Sequence, residues 1–92
     1  MTTPDGATAA GARILALLRE VTGDDALLTD LDVELYGSGL LDSLATVTLL
    51  VALEEAFGLA ISPTELDRAA WATPRRFVSD VERRLADAGD AR

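Results

Sequence analysis

The chain has no cysteine, no histidine and no lysine; all eight of its basic residues are arginine. Without cysteine there is no disulfide, thiol nucleophile or thiolate metal site. Without histidine there is no Ser-His pair and no imidazole base, and a zinc site loses its commonest neutral ligand. Without lysine there is neither a P-loop nor a Schiff base. Carboxylate-pair chemistry is all that remains, and a domain of 92 residues has little room for the deep cleft it needs. A stand-alone enzyme is not expected. Aromatic residues make up only 4% of the chain against 49% apolar residues in all, so any core is built of Leu, Val, Ile and Ala, which suits helices better than sheets. No apolar run approaches the length of a membrane span, and no basic-then-apolar leader opens the sequence. One cytoplasmic domain without membrane insertion is the expectation.

The net charge of −8 is unevenly spread: from Glu20 to Asp67 there are eleven acids and no arginine. Arginines flank that stretch, at Arg13 and Arg19 before it and from Arg68 onward after it. An acidic middle repels nucleic acid and anionic membranes and steers the chain toward basic partners, or serves solubility alone.

Residues 1–8, with Pro4 and Gly6, are expected as a flexible tail, 9–88 as the single domain and 89–92 as a second short tail. Ile14, Leu17, Leu18 and Val21 follow helical spacing, so a first helix is expected over Ala9 to Thr22, stopped by Gly23. A long connection from Asp24 to Leu41 carries scattered apolar residues that would pin it across the other elements. A second helix runs from Asp42 or Ser43 to Phe57, with Gly58 beyond its end. Ser62-Pro63 predicts a short third helix over Pro63 to Ala69, and Thr73-Pro74 a fourth over about Pro74 to Ala88, with Phe77, Val78, Val81 and Leu85 facing inward. Three longer helices and one short one make an all-α four-helix bundle.

The second helix is apolar on two sides. Leu49, Leu50, Leu53 and Phe57 form an ordinary core stripe, whereas Leu44, Val47 and Val51 lie roughly opposite at about 100° per residue. That second stripe is either a docking patch or is covered by the long connection or the third helix. At the start of the same helix stands Ser43. Helix N-termini favour a phosphate, so Ser43 is either a modification site or an ordinary capping residue; Ser62 fits a cap and Ser79 a mid-helix position.

Gly39-x-Leu41-Asp42-Ser43-Leu44, followed by an amphipathic helix, resembles the phosphopantetheine site of acyl and peptidyl carrier proteins. Asp42-Ser43-Leu44-Ala45-Thr46-Val47, Leu49-Leu50, Leu53-Glu54 and Phe57-Gly58 are similar to the second helix of D-alanyl carrier proteins. Glu65-Leu66-Asp67-Arg68, Trp71 and Thr73-Pro74 resemble the segment leading into that family's last helix. The likeness covers Leu35 to the fourth helix. It implies the acyl-carrier-protein fold, a monomer, and a protein that does no chemistry itself. A phosphopantetheinyl transferase would move 4'-phosphopantetheine from coenzyme A onto Ser43, beside Asp42. A stand-alone adenylation enzyme would load an amino acid as a thioester, and a downstream acyltransferase or condensing enzyme would receive it. Each would grip the helix start around Leu41, Leu44, Val47 and Val51. Tethering raises effective concentration, and the arm supplies the sulfur that a cysteine-free chain lacks.

The Ala- and Arg-rich, Lys-free composition departs from that family's cell-wall members and suggests a GC-rich genome. On that ground an aminoacyl carrier for polyketide or macrolactam biosynthesis is expected ahead of a carrier for teichoic acid D-alanylation. A generic acyl carrier and an unmodified acidic helical interaction module are the alternatives. Asp30, Asp32 and Glu34 alternate as in a calcium loop, but Leu35 and Leu41 stand where that loop needs Gly and Glu. Arg75, Arg76, Arg83 and Arg84 form either a partner contact or, as expected here, the solvent face of the last helix, and Trp71 belongs to the core or covers the third helix.

Overall fold

A computed structural model describes residues 9–90, with backbone alone at Ala9, Ala26 and 88–90. The expected tail at 1–8 and the last two residues, 91–92, lie outside it. Four helices, and among the described residues no strand, form an all-α bundle: α1 (Ala9–Thr22), α2 (Ala26–Thr29), α3 (Ser43–Phe57) and α4 (Pro74–Asp90). The short helix is not where it was expected. It is α2, a single turn inside the long connection, too brief for any periodicity to reveal. Pro63 to Ala69 is instead two 3₁₀ turns, Pro63–Glu65 and Arg68–Trp71.

The reason for the split lies at Leu66 and Asp67. Ser62 and Glu65 close a capping box that starts the first turn, but Leu66 takes an extended conformation with ψ 126°. Asp67 then caps afresh, accepting from the Ala69 amide at 3.0 Å. A Pro-started turn re-capped four residues later has no length in which to settle into an α-helix.

Helix α1 packs against both α3 and α4. Ile14 and Leu18 of α1, Leu49, Leu50 and Leu53 of α3, and Phe77 and Val81 of α4 are buried, with Trp71 fully enclosed between them. Trp71 meets Phe77 edge to face, ring centroids 4.7 Å apart. Gly23 and Gly58 end α1 and α3 in the left-handed conformation, φ 72° and 68°, and each returns its N–H to the carbonyl four residues back. Helix α4 ends at Asp90, two residues beyond the expected boundary at Ala88.

The connection is pinned as its apolar residues predict. Leu27, Leu35 and Leu41 are buried. The Leu35 amide donates to the Ala72 carbonyl at 2.8 Å, and the Arg75 amide donates to Leu31 at 3.0 Å. Outside, Arg75 grips Asp32 through two nitrogens at 3.0 and 3.3 Å. That hydrogen bond, and then the guanidinium charge, hold the Asp32 carboxyl below the usual carboxylate range. These contacts fix the chain that delivers Ser43.

The fourth helix holds a polar group in its inner face. Asp80 is buried. One oxygen accepts from the Trp71 indole N–H at 2.9 Å and from Arg84 at 2.9 Å, and the other accepts from Arg83. Arg83 and Arg84 therefore reach back to a buried carboxylate; Arg83 does so from the expected solvent face, its side chain 64% exposed, whereas the Arg84 side chain is only 23% exposed. Arg76 bonds the Ala69 carbonyl at 3.3 Å.

Candidate functional site

The site is the N-terminus of α3. Gly39, at φ 85°, turns the chain, and the Leu41 amide then bonds the Leu35 carbonyl at 2.9 Å. Leu41 is 2% exposed and belongs to the core. The expectation that it joins a docking face is thus corrected. It stands just before the helix, where the chain still runs inward, and it anchors the turn from beneath.

Asp42 is the N-cap. Its backbone is extended, φ −129° and ψ −172°, and its carboxylate accepts from the Ala45 amide at 2.8 Å. Because Asp42 does the capping, Ser43 is not needed for it. Ser43 is exposed, and among the described residues its hydroxyl makes no hydrogen bond. The sequence left open whether this serine is merely a cap; the geometry gives that role to its neighbour.

Beyond Ser43 the outer stripe of α3 stands in solvent: Leu44 is 76% exposed, Val47 52% and Val51 50%. Neither the connection nor the 3₁₀ turns cover it. At spacings of three and four residues these side chains form one contiguous face that begins beside Ser43.

On the other side of Ser43 is a shallow cleft of about 340 Å³, lined by Tyr36, Ser43, Thr46, Pro63, Leu66 and Arg68. Thr46 donates its hydroxyl proton to the Asp42 carbonyl at 2.7 Å. The 3.3 Å contact between Tyr36 and Thr46 is accordingly a bond donated by the phenol, since Thr46 has one proton. The Arg68 guanidinium lies 4.3 Å from the centroid of the Tyr36 ring. Sequence reasoning missed this cleft, because its walls come from three separated segments. Its one legible trace was Arg68, the first cation after the acidic stretch.

The residues present fit a group carried through a phosphodiester. A free hydroxyl projects from a helix N-terminus of positive polarity, with a cation across a neighbouring cleft. No group of three or more metal-ligating side chains gathers among the described residues, and no helix there is long and apolar enough to cross a membrane.

Comparison with known proteins agrees with this geometry. Residues 12–81 match the phosphopantetheine attachment site family, which defines the class: a carrier that uses a 4'-phosphopantetheine prosthetic group and serves as a tether rather than an enzyme. The D-alanyl carrier protein of Enterococcus faecalis is 41% identical over 69 residues, 75% of this chain and 88% of that protein. That of Abiotrophia defectiva is 45% identical over 74 residues, 80% and 94% of the two chains. That of Bacillus velezensis is 46% identical over 68 residues, 74% and 87%. The chain belongs to the phosphopantetheine carrier proteins, on the D-alanyl carrier branch.

Proposed function

We propose that Ser43 carries the phosphopantetheine arm and that the cargo is a D-alanyl group, received from an ATP-dependent D-alanine-activating enzyme and passed to an acyltransferase. When bound, the arm supplies the thiol that takes the aminoacyl group as a thioester. Ser43 offers the oxygen: its Oγ bonds phosphorus as the nucleotide portion of coenzyme A departs, and its proton passes to the transferase. Asp42 keeps the hydroxyl at the helix tip by holding the first turn closed, and Leu44, Val47 and Val51 offer the surface on which partners seat. Cytoplasmic residence follows from the need for coenzyme A and ATP.

The observation that carries this reading is the exposed Ser43 hydroxyl, which makes no hydrogen bond among the described residues while Asp42 caps α3. For the cargo, the support is identity of 41% to 46% with D-alanyl carriers over residues that include this site. Composition pointed instead to polyketide or macrolactam biosynthesis. Genome base content acts on exposed positions throughout a chain, whereas the relatives' similarity includes the site itself, so the D-alanyl reading is preferred.

The test is loading. After treatment with coenzyme A and a broad-specificity transferase, the wild-type chain gains the mass of the arm and Ser43→Ala does not. With ATP and a D-alanine-activating enzyme, the holo chain then gains a D-alanyl group at least tenfold faster than an L-alanyl one. Preferential loading from malonyl donors would overturn the cargo assignment, and a mass gain on Ser43→Ala would overturn the site.

A further inference from the structure

Given the Ser43 assignment, on which this rests, we infer that Tyr36 is a positioning residue for attachment of the arm: its phenol, acting through Thr46, holds the peptide that carries Ser43. The Asp42 carbonyl belongs to the peptide bond that joins Asp42 to Ser43. It accepts twice from Thr46, from the amide at 2.9 Å and from the hydroxyl at 2.7 Å, so both of its lone pairs are taken. The Asp42 carboxylate meanwhile accepts from the Ala45 amide at 2.8 Å. A peptide unit is planar, so fixing that carbonyl fixes the plane from which the Ser43 residue departs.

The Thr46 hydroxyl is held in turn. A threonine in a helix divides between two χ1 rotamers; the phenol of Tyr36, donating to the Thr46 oxygen at 3.3 Å, selects one. The hydroxyl then accepts on one side and donates on the other, a chain of two bonds from the phenol to the Asp42 carbonyl. Tyr36 is itself well anchored. Leu35 before it is buried, gives its amide to Ala72 and receives the Leu41 amide on its carbonyl. The Arg68 guanidinium lies over the Tyr36 ring, 4.3 Å from the centroid.

The serine needs such a tie. Ser43 is the first residue of α3, where helices fray and the leading amides have no partner within the helix. Its hydroxyl makes no hydrogen bond among the described residues, so only the backbone of the first turn aims it. For attachment, Oγ must meet phosphorus in line with the departing nucleotide portion of coenzyme A while its proton passes to the transferase. Misplacement by about 1 Å can cost roughly a hundredfold in such a step. The bond from Tyr36 to Thr46 ties that turn to a separate segment of the chain, and the tie exists before any transferase binds.

The experiment measures kcat and KM for arm attachment to the full chain, with coenzyme A and a purified transferase, and records the mass of each product. Wild type is compared with Tyr36→Phe, Thr46→Val, Thr46→Ser and the double variant of Tyr36→Phe with Thr46→Val. Tyr36→Phe forfeits one hydrogen bond and keeps the ring beneath Arg68, so kcat should fall about three- to tenfold with KM held within about twofold. Thr46→Val should match it, and Thr46→Ser, which keeps the hydroxyl, should recover most of the rate. The double variant should be no slower than either single one, because both act through one chain of bonds. Scalar couplings of the Thr46 side chain should report a single χ1 rotamer in wild type and an average in Tyr36→Phe. A role in stability alone would lower the unfolding temperature and leave kcat of the folded chain unchanged. That result, or additive losses in the double variant, would overturn the inference while leaving Ser43 as the attachment site. No mass gain in wild type, or a gain on Ser43→Ala, would overturn both. Should Tyr36→Phe fail to fold, the wild-type couplings decide, and an averaged Thr46 rotamer there would overturn the inference.

Discussion

Replacing Trp71 by alanine is expected to destabilise the protein by about 3–5 kcal/mol, the usual cost of emptying a large aromatic site. Small domains have only about 5–15 kcal/mol in total, so the variant should unfold tens of degrees early or be partly unfolded at 37 °C. Two losses coincide. Trp71 is fully enclosed and packs edge to face on Phe77, and its indole N–H bonds the buried Asp80 carboxylate. The converse change, Asp80→Ala, keeps the ring but strands its N–H, which costs about 1–3 kcal/mol beyond the lost pairing with Arg84.

Asp80→Asn separates shape from charge and yields a pH signature. Burial alone would push the Asp80 carboxyl up, but hydrogen bonds from Arg84, Trp71 and Arg83 outweigh it and hold the group below its ordinary value. A depressed folded-state pKa contributes stability that is complete above the unfolded value of about 3.9 and is lost as pH falls through the folded one. The gap in denaturation midpoint between wild type and Asp80→Asn should be widest above about pH 5 and close as the solution is acidified below about pH 4. A gap that does not change with pH would contradict the assigned charge state.

The second large effect concerns recognition. Leu44→Glu and Val47→Glu change side chains that are 76% and 52% exposed. Each should alter folding stability by no more than about 0.5 kcal/mol, as exposed substitutions generally do. If partners bury this face, each removes an aliphatic contact and introduces a like charge beside an already acidic surface. Truncation at the centre of an interface commonly costs about 2 kcal/mol or more, so kcat/KM for loading by the activating enzyme should drop at least tenfold for either variant, with unfolding temperature retained. Unchanged loading would show that partners grip elsewhere.

Much of this was legible in the residues. The extents of α1 and α3 follow from helical spacing ended by Gly23 and Gly58, and the start of α4 from Thr73-Pro74, because those signals act within one turn of chain. The position of Ser43 at the first turn of α3 was legible for the same reason. What escaped was set by packing between distant segments. Leu41 belongs to the motif around the serine, yet its burial is decided by the bond to Leu35 and by the core beneath. Pro63 announces a helical start without saying which kind, and the extended Leu66 decides it. Asp80 looks like any helix-surface acid until Trp71 is placed against it. The Tyr36, Thr46 and Arg68 assembly joins three segments that no local pattern connects.

Fragmentation mass spectrometry of the protein purified from its producing cells puts the main claim to the sharpest test. A phosphopantetheine arm, ejected with its load, should localise to Ser43 and to no other serine. An arm found on Ser38, Ser62 or Ser79, or a chain that carries none in cells and gains none with coenzyme A and a transferase, would contradict it.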